Sequence, residues 1–259
     1  MFRSGPQFGL RSAPALGLLL AVFIWGVAAG AYQVFPYPVM REVKNMIDGH
    51  EGPPPNAIYG TQAKSAEIAD GLAQWGSTAE VVMVGDSLTE GGRWAEMFPN
   101  VSILNRGIGG DTVGNVADRA GKVLDAQPRK IFLMIGLNDI FYPRNSEAQI
   151  VDQFDRAIGL LTQGEAQVFV QSIVICNSVN PVCTPTRQKR LRRINAALPD
   201  LAARHGAMFI DLNARMAGKA GLREELSWDG MHLNGEGYRV WQRVLKPYVA
   251  PRQAALPAP

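Results

Sequence analysis

The sequence has few of the residues that hold metals and cofactors in proteins. Only two cysteines and three histidines occur among its 259 residues, and no histidine lies close to Cys176 or Cys183 in the chain. Without a cluster of such ligands, the sequence predicts no metal site and no cofactor. The formal charge of +3 gives little support for a nucleic-acid partner, and none is expected. Nothing in the composition indicates disorder or a repeat array, so the chain should build a globular core.

Charge is missing from one long segment near the N-terminus. No charged residue occurs between Arg11 and Arg41, and residues 13–32 (APALGLLLAVFIWGVAAGAY) are almost wholly apolar. A helix of about 20 such residues spans the hydrocarbon core of a bilayer. Because arginines precede it, we predict a cytoplasmic segment at 1–12 and a transmembrane signal-anchor at 13–35. Two alternatives stay open: a signal peptide cleaved at its small residues, which would export a soluble protein, and a buried helix.

The first two interpretations agree that the folded part of the chain is extracytoplasmic, in a periplasm. Residues 36–78 then form a juxtamembrane spacer, residues 79–250 form the domain, and residues 251–259 form a flexible tail. In an oxidising compartment Cys176 and Cys183 can form a disulfide, because turn-forming residues between them let the ends of the loop approach. Two unpaired thiols remain the alternative.

Strand-like and helix-like segments alternate from about residue 79 onwards. Five apolar runs are typical of strands: 80–84, 101–105, 130–136, 167–175 and 207–211. Helical candidates lie between and after them: 112–126, 146–163, 186–204 and 235–248. This alternation indicates a parallel sheet that helices cover on both faces. Since chemistry in such sheets collects at the carboxyl ends of the strands, we expect catalytic residues just after the apolar runs.

Ser87 and His232 are the first candidates at such positions. The first strand ends in Gly-Asp-Ser, which would present the Ser87 hydroxyl at the edge of the sheet, although this triplet is also common in turns and helix caps. His232 follows Asp229 by three residues in a turn-rich loop, a spacing that can bring the carboxylate onto Nδ1 and leave Nε2 free. Alternatively, Asp229 caps a helix and His232 is only exposed. Asp86 adjoins the serine and is expected to be structural.

Two further segments supply hydrogen-bond donors for an oxyanion. NRGIGGDT (105–112) follows the second strand, and GLND (136–139) follows the third. The backbone N–H groups of Ser87 and Gly110 and the side-chain amide of Asn138 form a suitable set of donors for acyl transfer. A phosphate-binding loop is the alternative, but no Gly-Lys-Ser/Thr follows, and neither segment matches the dinucleotide fingerprint.

Four segments, VGDSLTEGG, NRGIGGDT, GLND and DGMH, together resemble the signature blocks of the SGNH (GDSL) hydrolase superfamily. The GIGGDT loop is similar to that of its platelet-activating-factor acetylhydrolase-like branch. The resemblance covers about residues 79–249 and implies a flavodoxin-like three-layer α/β/α sandwich with a five-stranded parallel sheet. Leu137 departs from the glycine or threonine that many members have before the asparagine, which leaves the shape of the pocket open.

The resemblance also implies a role for each residue of the candidate site. These are the nucleophile Ser87, the general base His232, its orienting acid Asp229, and the oxyanion donors Ser87, Gly110 and Asn138. They predict a serine esterase acting on small acyl esters, with acetyl favoured by the family. O-acetylated glycans and lysophospholipids are both candidate substrates. A carbohydrate O-acyltransferase and a non-catalytic envelope scaffold that binds glycans are the alternatives. Trp228, next to the Asp229 loop, is a candidate for the pocket wall.

Overall fold

A parallel sheet of five strands is the centre of the computed structural model, which describes residues 68–71, 78–141 and 145–249. The strands are β1 (Val81–Gly85), β2 (Ile103–Gly107), β3 (Lys130–Met134), β4 (Gln167–Gln171) and β5 (Met208–Ile210). Their order in the sheet is β2-β1-β3-β4-β5, and all neighbours are parallel. This is the order of flavodoxin-like doubly wound folds. The predicted α/β class and five-stranded parallel sheet are confirmed.

Helices cover both faces of this sheet. They are α1 (Ser87–Glu90), α2 (Trp94–Met97), α3 (Val113–Asp118), α4 (Ala120–Leu124), α5 (Glu147–Leu161), α6 (Pro185–Arg204), α7 (Asn213–Met216) and α8 (Gly235–Val249). Helix α5 packs between α3 and α6 on one face. On the other face, Trp241 of α8 donates a 2.7 Å hydrogen bond to the Gln171 side chain, and Tyr248 packs edge-on against Phe169. With both faces covered, all five residues of β1 are buried, which explains its unbroken apolar sequence.

The other elements between β1 and α8 are short. They are 3₁₀ turns at Asn138–Phe141 and Glu224–Leu226, and a two-residue hairpin of β6 (Ala217–Gly218) and β7 (Gly221–Leu222). The 3₁₀ turn at Asn138–Phe141 follows β3 and carries part of the candidate site.

Two elements differ most from their predicted extents. β4 ends at Gln171, four residues before the end of its apolar run, because side chains replace a neighbouring strand as hydrogen-bond acceptors. The backbone N–H of Ile173 donates to Asn195 Oδ1 at 2.7 Å, and that of Ile175 donates to Asn213 Oδ1 at 3.1 Å. The helix predicted over 112–126 divides into α3 and α4 at Arg119, whose side chain turns into the protein.

The predicted signal-anchor at 13–35, most of the spacer at 36–78, and the tail at 251–259 lie outside the described residues. Within the described ranges, no helix is both long enough and apolar enough to cross a bilayer. Residues 68–71 form one helical turn that contacts the domain, since Asp70 forms an ion pair with Lys122 of α4. This part of the predicted spacer therefore packs on the domain. The predicted disulfide between Cys176 and Cys183 is present.

Candidate active site

The turn from β1 into α1 presents Ser87 at the carboxyl edge of the sheet. Asp86 begins α1 as its N-cap, and its Oδ1 accepts a 3.0 Å hydrogen bond from the backbone N–H of Leu88. The turn is tight: a Cβ on Gly85 would lie 2.1 Å from the carbonyl oxygen of Met134, so only glycine fits there. The Ser87 hydroxyl is held half-buried at the first position of the helix.

The loop before α8 brings His232 to this hydroxyl. His232 Nε2 lies 3.2 Å from Ser87 Oγ, and His232 Nδ1 lies 2.7 Å from Asp229 Oδ2. The other carboxylate oxygen, Asp229 Oδ1, accepts hydrogen bonds from the backbone N–H groups of Met231 at 2.8 Å and His232 at 2.7 Å. The structure thus brings together the three residues that sequence reasoning placed in one site.

Hydrogen bonds fix both the shape and the charge of this loop. Ser227 Oγ accepts from the backbone N–H of Gly230 at 2.8 Å and donates to the carbonyl oxygen of His232 at 2.6 Å. Burial by itself would raise the pKa of Asp229, but the hydrogen bonds from the His232 ring and from the backbone outweigh it and lower that pKa. Asp229 is therefore a carboxylate at neutral pH, suited to stabilise an imidazolium.

The loop after β2 passes directly beside the serine. A Cβ on Gly109 would lie 3.8 Å from the Cβ of Ser87. Gly110 has a φ of +86°, a conformation that side chains rarely allow. Among the described residues, the backbone N–H groups of Ser87 and Gly110 donate to no protein acceptor. Both are free to meet a developing negative charge.

Asn138 lies against the same loop from the other side. Its Nδ2 donates a 2.8 Å hydrogen bond to the carbonyl oxygen of Asp111, the residue after Gly110. An amide nitrogen carries two hydrogens, so this bond orients Asn138 and leaves one N–H for a ligand. Asn138 therefore contacts the loop that carries Gly110 and passes beside Ser87.

A buried ion pair lies beneath the donors, and sequence reasoning did not assign it. Arg119 Nε donates to Asp111 Oδ2 at 2.8 Å, and both side chains are almost fully buried. Another Arg119 nitrogen donates to the carbonyl oxygens of Arg106, at 2.8 Å, and Gly85, at 3.3 Å. The only signal in the sequence was an arginine within an apolar helical segment, which favours an exposed position as readily as a buried one.

Two other buried carboxyl groups flank the site. Burial raises the pKa of Asp86 to about 7, an effect that the hydrogen bond from Leu88 partly offsets. Burial likewise raises the pKa of Asp139 to about 7, although its carboxylate accepts from the backbone N–H of Val113 at the start of α3. Asp86 has the structural role predicted for it, and Asp139 is a structural residue that sequence reasoning missed.

The disulfide-bonded loop supports the Asp229 turn from outside. Asn180 Nδ2 donates to the carbonyl oxygen of Asp229 at 2.9 Å. The backbone N–H of Asn177 donates to the carbonyl oxygen of Gly230 at 2.6 Å. Both asparagines lie between Cys176 and Cys183, so the disulfide limits the freedom of the segment that holds the acid in place.

A nucleophile, a base and an acid at the carboxyl edge of a doubly wound sheet, with oxyanion donors beside them, define a serine hydrolase. Comparison with known proteins agrees. The model of the GDSL-like lipase/acylhydrolase family matches residues 83–240. The chain belongs to this family, and it is a carboxylic ester hydrolase. Its resemblance to the SGNH hydrolase superfamily is confirmed.

Similar proteins extend over most of the domain. The chain is 26% identical over 180 residues to platelet-activating factor acetylhydrolase IB subunit alpha2 of Rattus norvegicus, covering 65% of this chain and 73% of the relative. The structure of a GDSL-like lipase from Bacteroides thetaiotaomicron is 20% identical with a TM-score of 0.59, covering 74% of this chain and 98% of the other. Axe2, an acetylxylan esterase from Geobacillus stearothermophilus, is 16% identical with a TM-score of 0.55, covering 68% and 96%. At these identities the two structures establish the fold alone.

Proposed function

We propose that the protein is a serine esterase that removes small acyl groups, above all acetyl, from the hydroxyl groups of a glycan or lipid. One observation supports it most directly. Ser87 Oγ, the two nitrogens of His232 and the Asp229 carboxylate form an unbroken chain, with separations of 3.2 Å and 2.7 Å. The first separation suits proton transfer from the serine to the imidazole, and the second orients the imidazole and stabilises its charged form.

In the first half of the reaction, Ser87 Oγ attacks the ester carbonyl while His232 Nε2 takes its proton. The negative charge that develops on the carbonyl oxygen meets the N–H groups of Ser87, Gly110 and Asn138. His232 then gives the proton to the leaving alcohol oxygen as the carbon–oxygen bond breaks, and the acyl group stays on Ser87. The Asp229 carboxylate stabilises the imidazolium during this step.

In the second half, water attacks the acyl-serine with His232 again as base. The imidazole side chain is 35% exposed, so the site is open to solvent. This open access favours hydrolysis over transfer to a second sugar, for which water has to be excluded from the acyl-enzyme.

The acyl group and its alcohol are proposed from the comparisons. An acetylhydrolase in Rattus norvegicus and an acetylxylan esterase in Geobacillus stearothermophilus both act, by their names, on acetyl esters. Their alcohols differ, which is why glycan and lipid esters both remain substrates to test.

The test is the removal of the Ser87 hydroxyl. Ser87→Ala should slow the turnover of para-nitrophenyl acetate by about 10⁶-fold and abolish labelling by a fluorophosphonate. Ser178→Ala, which removes an exposed serine from the disulfide-bonded loop, is the matched control and should behave like the wild type. Undiminished hydrolysis by Ser87→Ala would overturn the assignment, and a wild-type protein that is never labelled would indicate a scaffold. Acetyl transfer to an added oligosaccharide that outpaces acetate release would favour an acyltransferase.

Membrane attachment and periplasmic location are a separate proposal that depends on residues 13–35. The intact mass of the protein purified from membranes should match the full chain. A mass that corresponds to a chain beginning after residue 29 would instead indicate cleavage and export.

A further inference from the structure

Trp228 is the most exposed large apolar side chain of the described residues, and it lies beside the catalytic histidine. The side chain is 70% exposed. Its ring is nearly parallel to that of His232, with centroids 5.4 Å apart and an angle of 14° between the planes. One part of the indole therefore covers the imidazole, and the rest is open to solvent at the mouth of the site.

The loop holds this position firmly. The residues on both sides of Trp228 are fixed, because Ser227 Oγ donates to the carbonyl oxygen of His232 and Asp229 accepts from two backbone N–H groups. Ser227 also pairs with Leu233 through an antiparallel bridge. An exposed indole on a backbone held by hydrogen bonds is a preformed contact surface. A ligand binds to such a surface without a large loss of conformational entropy by the protein.

The chemistry of the first step decides which part of a substrate meets this surface. His232 Nε2 protonates the leaving oxygen, so the alcohol must sit against the imidazole when the ester bond breaks. An alcohol as large as a sugar ring extends beyond the imidazole onto the neighbouring indole. An alcohol of two carbons does not.

We propose that Trp228 is a specificity-determining residue that binds the alcohol part of the substrate, and that this alcohol is a sugar ring. The proposal rests on the proposed esterase function. A pyranose has an apolar face of C–H groups and a rim of hydroxyls, so it can cover the indole while its hydroxyls stay in water. A long acyl chain on the same surface would meet no enclosed apolar wall, because Val179, which lies against Gly230 of this loop, is itself 59% exposed.

The experiment compares two acetate esters that each carry one acetyl group and differ in the alcohol: mono-O-acetylated methyl β-xylopyranoside and ethyl acetate. Acetate release by the full-length protein gives kcat/KM for each, and the ratio of the two values isolates the alcohol. Trp228→Ala should lower this ratio about tenfold, mainly through KM, as expected for roughly 50 Å² of apolar surface no longer buried. Trp228→Phe should keep most of the ratio. Met208→Ala, at an exposed apolar residue near the amino edge of the sheet, should leave it unchanged.

Each other outcome is informative. An equal loss on both esters would mean that Trp228 acts only through His232, and the proposal fails. An unchanged ratio combined with weaker binding of the Trp228→Ala variant to phosphatidylglycerol vesicles would replace the sugar with a lipid surface. A wild-type protein that cleaves ethyl acetate but not the xyloside also overturns the proposal and leaves the esterase function intact. Failure on both esters and on para-nitrophenyl acetate would refute the esterase function itself. Fluorophosphonate labelling of Ser87 in each variant verifies that the site is folded.

Discussion

Replacing Asp229 by asparagine should give His232 the wrong tautomer. Asp229 Oδ1 accepts from two backbone N–H groups, at 2.8 Å and 2.7 Å, and Oδ2 faces His232 Nδ1 at 2.7 Å. In Asp229→Asn the side-chain oxygen must keep facing those backbone donors, because an NH₂ group there would meet two other N–H groups. The NH₂ group then faces Nδ1 and donates to it. The ring proton is left on Nε2, which can no longer accept the proton of Ser87.

Asp229→Asn should lower the rate of catalysis far more than the stability of the fold. A base held in the wrong tautomer lowers kcat by about 10⁴-fold, equivalent to about 5.5 kcal/mol of transition-state stabilisation. The backbone hydrogen bonds of the loop survive because the asparagine oxygen accepts them. We therefore expect the free energy of unfolding to change by only about 1–2 kcal/mol.

The assay measures the turnover of para-nitrophenyl acetate beside the urea midpoint of the same preparations. Asp155→Asn is a matched control, since Asp155 Oδ1 lies 3.0 Å from Nε2 of another histidine, His205. That pair lies where α6 ends, before β5 begins, and so at the opposite edge of the sheet from Ser87. Asp155→Asn should leave kcat unchanged. Turnover by Asp229→Asn within about tenfold of the wild-type rate would refute the tautomer reasoning.

Three further changes probe the surroundings of the site. Arg119→Gln leaves the buried Asp111 carboxylate without its guanidinium, so the urea midpoint should fall by the equivalent of about 3–5 kcal/mol, and an unchanged midpoint would contradict this. Reduction of the Cys176–Cys183 disulfide, or its replacement by two serines, should cost about 2.5 kcal/mol in the chain-entropy model; a Tm insensitive to reductant would count against it. Burial raises the pKa of Asp139 from 3.8 to about 7. Between pH 3.8 and about 7, Asp139 is therefore protonated in the folded state but ionised in the unfolded state. Stability from this group therefore falls as pH rises from about 4 to 7, so Asp139→Asn should raise the urea midpoint near pH 8 but not near pH 4. Equal shifts at both pH values would refute this assignment.

The strands could be read from the sequence because a parallel sheet buried on both faces needs unbroken apolar runs. The run at 130–136 predicted β3, which occupies Lys130–Met134. The run at 167–175 overestimated β4, because Asn195 and Asn213 satisfy the backbone beyond Gln171 from distant positions in the chain. Apolar character reports burial, and it does not distinguish a strand from a buried segment that side-chain amides hold.

Those parts of the site that depend on contacts between residues close in the chain could be predicted from the sequence. Those that depend on contacts between distant residues could not. Asp229 and His232 are three residues apart, so a turn alone can join them, and the sequence displays that spacing. The contact of Asn180 with the Asp229 carbonyl spans 49 residues and depends on where two loops meet after folding. The loops that follow two strands indicate Gly110 and Asn138 as oxyanion donors, the family resemblance implies the same roles, and the contact of Asn138 with the Gly110 loop is compatible with them.

The ion pair of Arg119 with Asp111 is better explained by geometry than by stability. A buried pair often contributes less to folding than apolar side chains of the same size would. Here, however, Arg119 also donates to the carbonyl oxygens of Gly85 at the end of β1 and Arg106 in β2, and Asp111 accepts from Asn138 through its own carbonyl oxygen. Apolar replacements would leave two strand-end carbonyls without this donor. The Arg119 guanidinium therefore fixes three parts of the site relative to one another. These are the end of β1 before Ser87, the loop that carries Gly110, and the side chain of Asn138. Catalysis by preorganised dipoles requires such fixed positions, because a donor that has to move toward the oxyanion loses its advantage over water.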